Sequence, residues 1–444
     1  MGGEITAPAL KKRIGEALGG AAMEGGGELA LLDLREEGVF GQGHLLFASN
    51  CLLSRLELRA ADLVPRRAAP VVVMDDGEGL AARAAERLAG FGYDDVAVLT
   101  GGIAAWRDAG YELFRGLHVP SRAFAESLAH HCATPGISAH KLAIMQKRGD
   151  RMVVLDMRRA AAYGRATIPG ALHCPQSELV YRIHDIASDA DTAIICVSAG
   201  RRRALLGAQE LVNAGLPNSI HALQDGLAGW RAGGYEIERG AARFAAAPSD
   251  DARHLAQAWA ERRAGKAGVK VISADDLAGW RAAADRTVAV FDIRPESAFE
   301  AGHPPDSIGV IGVELLARLD DFMAVLGARL VITDDDGTRA RLVAAWLRRM
   351  GWDACVLDGG SGGDASVTGP RRGAVLGLDG ITTETIAPRM LAVNQMRGRG
   401  RVHLLDLSRA ASFRRGHIAG ARFAFRARLG ESLTHLPPGD VVLT

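Results

Sequence analysis

The chain has 444 residues, enough for three or four domains of ordinary size. Its 53 Lys and Arg residues nearly cancel its 52 Asp and Glu residues, so the charge predicts neither a nucleic-acid nor a membrane-surface partner. Its five cysteines include no CxxC pair, which favours neither a disulfide framework nor a metal site. The sequence has no signal-peptide pattern and no long apolar stretch, so we expect a soluble cytoplasmic protein.

One pattern of elements recurs four times along the chain. Each copy opens with an Ile-Ser or Ile-Thr pair before a helical pattern, and an apolar strand ending in aspartate follows. A Gly-His or Pro-Gly turn then leads to a second apolar strand. The first three copies continue with a loop, an Ala- and Leu-rich helix and a short strand ending in glycine. The strand-end aspartates, separated by domain-sized intervals, are Asp33, Asp156, Asp292 and Asp406.

Apolar strands that alternate with amphipathic helices predict an α/β fold, a central parallel sheet with helices on both faces. We place module 1 at 1–116, module 2 at 117–240, a helical linker at 241–268, module 3 at 269–360, a linker at 361–378 and an incomplete module 4 at 379–444. A helix is expected from Asp250 to Arg263, bracing two modules. Because module 4 ends at Thr444 within its second strand, we expect a fragment of a longer protein or a partner that covers the cut sheet.

Several motifs recur among the modules in the same order and register. They are Asp-x-Arg, a Gly-His turn written Gly-His-Ile-x-Gly-Ala at 416–421, strand–loop–helix, and Gly-Gly-x-x-x-Trp at 101–106. Together they resemble the rhodanese family of sulfurtransferases over nearly the whole chain. The resemblance implies tandem rhodanese-like domains that move sulfane sulfur from thiosulfate or a protein persulfide to cyanide or another thiophile, without a cofactor. In that family a cysteine after the second strand carries the sulfur.

The helix after the second strand fixes the register of that nucleophile position. Counting back equally from Leu88, Leu211 and Leu347 gives Asp75, Ser198 and Asp334, none of which is cysteine. The fourth position would lie beyond Thr444, and the sequence leaves its residue open.

The first loop (residues 75–80) and the third loop (334–339) are acidic. At 4 Å, a carboxylate would repel each charge of thiosulfate by about 4 kcal/mol at an effective dielectric of about 20. We therefore expect these loops not to bind the donor. The third loop is predicted to be a solvated turn with acidic helix caps, and a metal site there is the less favoured alternative because adjacent carboxylates point different ways.

The second loop (198–203) combines a hydroxyl with a glycine and three arginines. Backbone amides at a helix N-terminus and arginine side chains both favour an anion. We predict an anion cradle with a disabled nucleophile, with Gly200 permitting a tight curl and the helix beginning near Ala204. The predicted site comprises Ser198, Ala199, Gly200, Arg201, Arg202 and Arg203.

Cys196 is the alternative thiol, since strand alternation puts it on the same side as Ser198, although a buried core cysteine is the favoured interpretation. Cys51 and Cys174 are expected to pack beneath the turn. Cys132, which lies beside His130 and His131, is expected to be an ordinary linker residue, with opportunistic metal binding as the alternative. The turn histidines and the Asp-x-Arg arginines are predicted to be structural; they are His44, His303 and His417, and Arg35, Arg158 and Arg294.

The leading hypothesis is a rhodanese-type sulfurtransferase whose three visible loops have degenerated, so that this chain has little or no thiosulfate:cyanide activity. The alternative is a non-catalytic scaffold or regulatory protein that binds anions or partner proteins. A dual-specificity phosphatase of the same fold is disfavoured because it also needs a loop cysteine. The expected partner is a small anionic sulfur donor or a thiol protein, and the oligomeric state is left open.

Overall fold

The computed structural model describes residues 3–20, 27–132, 134–360, 367–379, 381–397, 402–408 and 410–444. Module 1 contains β1 (Gly3–Ile5), α1 (Ala7–Gly20), β2 (Leu29–Asp33), α2 (Glu37–Phe40), β3 (Ser49–Asn50), α3 (Leu56–Leu63), β4 (Val71–Met74), α4 (Leu80–Gly90), β5 (Val96–Leu99) and α5 (Gly102–Asp108). The next segment contains α6 (Val119–Cys132), β6 (Gly136–Ile137), α7 (Ala139–Arg148), β7 (Met152–Asp156), α8 (Ala160–Arg165), β8 (Leu172–His173), α9 (Leu179–Ile186), β9 (Ala193–Val197), α10 (Arg201–Ala214), β10 (Ile220–Leu223) and α11 (Gly226–Ala232).

Helix α12 (Asp250–Lys266) leads to module 3, with β11 (Lys270–Ile272), α13 (Ala274–Ala283), β12 (Val288–Asp292), α14 (Glu296–Ala301), β13 (Ile308–Gly309), α15 (Gly312–Ala317), β14 (Val325–Leu326), β15 (Arg329–Thr333), α16 (Thr338–Arg349) and β16 (Asp353–Leu357). Module 4 contains α17 (Pro388–Arg397), β17 (Val402–Asp406), α18 (Ala410–Arg415), β18 (Arg422–Phe423), α19 (Leu429–Thr434) and β19 (Asp440–Leu443).

The sheets of the modules repeat one strand order, which confirms the predicted α/β repeat. Module 2 has the order β6-β10-β9-β7-β8 and module 3 the order β11-β16-β15-β12-β13, with every pairing parallel. Module 1 follows the same path through β1, β5, β4, β2 and β3, and module 4 pairs β17 with β18 and β19. As predicted, all four aspartates are the last residues of equivalent strands: β2, β7, β12 and β17.

The first sheet departs from the predicted all-parallel pattern. Strand β14 of module 3 pairs antiparallel with β2, with Val325 opposite Ala30 and Leu326 opposite Leu29. Because β3 pairs only with the last two residues of β2, the beginning of β2 would otherwise be an open edge. Modules 1 and 3 also bury side chains in one shared hydrophobic cluster. The two modules therefore form a continuous structure.

Two of the segments between successive sheets contain a long helix. The helix predicted from Asp250 is confirmed as α12, which extends to Lys266 and packs against α9 of module 2 and α16 of module 3. Its Trp259 Nε1 donates a hydrogen bond to Glu210 at 3.0 Å. Helix α6 fills most of the segment from Gly116 to Gly136, which the sequence predicts to be a linker. The module boundaries themselves stay a prediction.

Among the described residues, no helix is both long enough and apolar enough to cross a membrane.

Candidate functional site

Each strand-end aspartate organises the turn that follows it. Asp33 Oδ1 accepts a hydrogen bond from the backbone amide two residues on at 3.1 Å, and its two oxygens also bind the guanidinium of Arg35, with Nη2 at 2.6 Å from Oδ2. Arg158 with Asp156 and Arg294 with Asp292 repeat this arrangement. The predicted pairing of these arginines with strand-end acids is confirmed.

The turn histidines are structural, as predicted. His44, His303 and His417 each stack on a phenylalanine four residues earlier, with ring centroids 3.9, 3.7 and 3.8 Å apart. His44 Nδ1 and Nε2 lie 2.8 and 3.0 Å from the carbonyl oxygens of Leu45 and Gly116.

The strand register places Asp75, Ser198 and Asp334 at equivalent positions. Each directly follows the residue that pairs with a strand-end aspartate, namely Met74, Val197 and Thr333. In module 4, Thr444 O accepts from Leu407 N at 2.9 Å, just as Met74 O accepts from Leu34 N at 3.0 Å. The three loops therefore form a matched series, with carboxylate, hydroxyl and carboxylate at one site.

In the first loop the carboxylate of Asp75 binds the amides of its own loop. Its Oδ1 accepts from Gly77 N and its Oδ2 from Ala81 N, both at 2.9 Å. Asp75 is 5% exposed. The carboxylate turns inward to satisfy the free amides at the start of α4, whereas residues 76–79 are exposed.

The third loop is closed in the same way. Asp334 Oδ1 accepts from Gly337 N at 2.6 Å, and Oδ2 accepts from Arg339 N and Ala340 N at 2.9 and 3.2 Å. The side chain is fully buried, and burial raises the pKa of Asp334 to about 6, which still leaves it ionised at neutral pH. The predicted solvated turn is therefore wrong for Asp334, although Asp335 and Asp336 are exposed, and the predicted acidic helix cap is confirmed.

The second loop has no such internal anion. Ser198 is 2% exposed, and within the described part of the chain no side chain accepts a hydrogen bond from the amides of residues 199–203. Helix α10 begins at Arg201, three residues before the predicted start, so all three arginines lie in its first turn. The amides and the helix dipole therefore present a positive end with no carboxylate bound to it.

The glycine that shapes the second loop is Gly226 rather than Gly200. Gly200 is extended (φ −140°) and a Cβ added to it would meet open space, so the predicted role in a tight curl was wrong. A Cβ on Gly226 would lie 2.5 Å from Ser198 O, and its φ is +58°. The amide of Leu227 donates to that same oxygen at 2.8 Å. Gly102 and Gly360 make the equivalent close approach in the other modules, and the glycine that recurs after the last short strand of each module was the signal that could have found them.

The three arginines of the second loop have different surroundings. Arg203 Nη2 donates to Glu314 Oε1 of module 3 at 2.7 Å, and Arg201 Nη1 lies 3.7 Å from Glu126 Oε2 of α6. Arg202 is half-buried, and burial, followed by the nearby Arg203 and Arg122 cations, lowers its pKa. Burial therefore makes the charged form of Arg202 less favourable than it would be in water.

The cysteines offer no accessible thiol in a cradle. Cys196 is fully buried in β9, and burial raises its pKa, as it raises the pKa of Cys51, Cys174 and Cys355 to about 12. Cys132 is half-buried at the end of α6, not in an irregular linker, with Arg349 Nη2 3.9 Å from its sulfur. The geometry favours the core interpretation of Cys196.

One compact group of His and Asp side chains with the spacing of metal ligands occurs among the described residues, and it lies outside the loops. His118 Nδ1 is 3.1 Å from both oxygens of Asp320, and Asp321 completes the group. Arg318 Nε already donates to Asp321 Oδ2 at 2.7 Å. A guanidinium therefore neutralises one of the candidate ligands.

Comparison with known proteins agrees with these motifs. The Rhodanese-like domain family matches residues 20–109, 138–233 and 273–363. A thiosulfate sulfurtransferase from Pseudomonas aeruginosa is 41% identical, with a TM-score of 0.92, and the match covers 100% of this chain and 82% of that one. The Alr3790 protein from Anabaena sp. is 24% identical over 28% of this chain and 93% of its own, with a TM-score of 0.23. A search of curated proteins gave no match. The chain belongs to the rhodanese family.

Proposed function

We propose that this protein takes part in rhodanese-type sulfur transfer, with thiosulfate or a protein persulfide as donor and cyanide or another thiophile as acceptor. The observation that carries the proposal is the 41% identity to a thiosulfate sulfurtransferase over the full chain. In this proposal the three loops bind anions or stabilise the fold, and none of them carries the sulfur.

The chemistry of the transfer sets what a loop residue must supply. A thiolate attacks the outer sulfur of thiosulfate, the S–S bond breaks, and sulfite leaves with the electron pair. Cyanide then attacks the outer sulfur of the persulfide, which releases thiocyanate and regenerates the thiolate. Neither the hydroxyl of Ser198 nor the carboxylates of Asp75 and Asp334 can form a stable persulfide.

We assign donor binding to the second loop. The amides of α10 are free of side-chain acceptors there among the described residues, and Arg202 adds a half-buried cation. In the first and third loops the carboxylates of Asp75 and Asp334 already bind the corresponding amides. A dianion there would have to displace the bound carboxylate, and the negative charge of that carboxylate would repel it.

The test is calorimetric titration with thiosulfate. We expect one site per chain, and Ser198→Asp should abolish binding by giving the second loop the internal carboxylate of the other two. Arg202→Met should weaken binding about tenfold, the effect of losing a close cation worth about 1.4 kcal/mol. Arg253→Met, which removes an exposed cation of α12, is the matched control and should change the affinity less than twofold. Equal binding by the wild type and Ser198→Asp would contradict the assignment.

A non-catalytic scaffold is the second candidate, and a specific observation favours it. Two of the three loops are closed by their own carboxylates, while α12 and β14 join the modules tightly. Thiocyanate formation from thiosulfate and cyanide by residues 1–444 would exclude the scaffold.

A further inference from the structure

Glu314 of module 3 is a buried carboxylate directed at the second loop of module 2. It is 6% exposed and belongs to α15. Three guanidiniums approach it. Arg203 Nη2 is 2.7 Å and Arg159 Nε is 3.5 Å from Oε1, and Arg318 Nη1 is 3.8 Å from Oε2.

These three cations are not equivalent. Arg159 is mostly exposed, with 64% of its side chain accessible, and Arg318 also binds Asp321. Arg203 makes the shortest contact and has 22% of its side chain exposed, so its ion pair with Glu314 is the least screened by solvent. The third arginine of the second loop is thus engaged by a carboxylate from another module.

The same carboxylate acts on the neighbouring arginine. Glu314 is one of the charges that raise the pKa of Arg202, against the lowering by burial. A negative charge close to both Arg202 and Arg203 repels an anion at the amides of α10 and competes with it for Arg203. In the first and third loops the carboxylate that opposes an anion belongs to the loop itself, as Asp75 and Asp334.

We propose that Glu314 is an internal competitor for the anion at the second loop, and that it sets the affinity by exchanging Arg203 between itself and the ligand. This inference rests on the anion site proposed above. Because the charge of Glu314 repels a dianion more strongly than a monoanion, it lowers the affinity for thiosulfate more than the affinity for a monoanion.

The experiment compares Glu314→Gln with the wild type in titrations with thiosulfate, sulfate and thiocyanate at one ionic strength. Glutamine keeps the volume and an acceptor for Arg203 but removes the charge. We expect the affinity for the two dianions to rise about tenfold and that for thiocyanate about threefold, because Coulomb energy scales with ligand charge. Glu126→Gln is the matched control. Its carboxylate is half-exposed and 3.7 Å from Arg201, so the gain should stay below about twofold.

A double-mutant cycle tests the exchange of Arg203 itself. We expect Arg203→Met to weaken thiosulfate binding more in the Glu314→Gln protein than in the wild type, because only there is Arg203 free to bind the ligand. Additive effects, or a gain independent of ligand charge, would overturn the competitor role. If Glu314→Gln does not fold, Glu314→Ala provides the same loss of charge.

The two proposals fail in different ways. Binding that is lost in Ser198→Asp but unchanged by removal of the Glu314 charge would overturn this inference and leave the anion site intact. Thiosulfate binding that is absent from the wild type and both Glu314 variants would overturn the anion site and the inference with it.

Discussion

Replacing Ser198 by Cys should create a thiol with a lowered pKa. Two effects favour the thiolate. The N-terminus of α10 contributes about 0.3 to 1 kcal/mol, and up to about 2 kcal/mol when partly buried. A guanidinium such as that of Arg202, at about 6 Å and an effective dielectric of about 20, contributes about 3 kcal/mol.

Burial opposes both effects, because Ser198 is only 2% exposed and the buried Cys196 two residues earlier has a raised pKa. A net gain of about 1.4 to 2.8 kcal/mol corresponds to one to two pKa units. The Ser198→Cys thiol should therefore titrate at about 6.5 to 7.5 rather than at about 8.5.

The assay is the rate of alkylation by iodoacetamide as a function of pH. It should use a Cys132→Ser background, because the other four native cysteines are buried. Adding Arg202→Met should raise the pKa by about one unit, and sulfur transfer to cyanide should appear in the cysteine variant alone. A pKa at or above about 8.5 would refute the cradle.

Three further predictions concern stability. Gly226→Ala should cost about 1 to 3 kcal/mol of unfolding free energy, since its Cβ would meet a loop carbonyl at positive φ, whereas Gly200→Ala should cost less than about 1 kcal/mol; equal effects in urea titrations would contradict this. Because burial raises the pKa of Asp334 to about 6, its stabilising contribution is complete below about pH 4 and is lost as the pH rises through 6. In Asp334→Asn the pH dependence of the unfolding free energy should be smaller by about 3 kcal/mol. Parallel curves of unfolding free energy against pH for the variant and the wild type would argue against this. Arg35→Met should cost about 3 to 5 kcal/mol by leaving the fully buried Asp33 without its cation, and a loss below about 1 kcal/mol would show that the pair is not needed.

The repeated fold could be predicted because its signals are local. Apolar runs ending in Asp33, Asp156, Asp292 and Asp406 mark equivalent strands, and the turn residues after them recur at fixed spacing. The spacing of Ser273 and Asp276 at the start of α13 is typical of a capping box, which is another local signal, and their side chains form both hydrogen bonds of that motif.

The contacts between modules could not be predicted in this way. Glu314 binds Arg203 across 111 positions of the sequence, and β14 joins the first sheet although it belongs to module 3. The inward turn of Asp75 was missed for a different reason. A loop of acidic residues is normally solvated, and only the free amides at the start of α4 make burial of its carboxylate favourable.

The most direct test is the thiosulfate:cyanide turnover of residues 1–444 as they stand. We expect no thiocyanate above the uncatalysed rate, because Asp75, Ser198 and Asp334 cannot carry sulfane sulfur and Cys196 is fully buried. A turnover of about 10 per second, typical of enzymes, would contradict it, and loss of that turnover in Cys196→Ala would identify the buried thiol as the sulfur carrier.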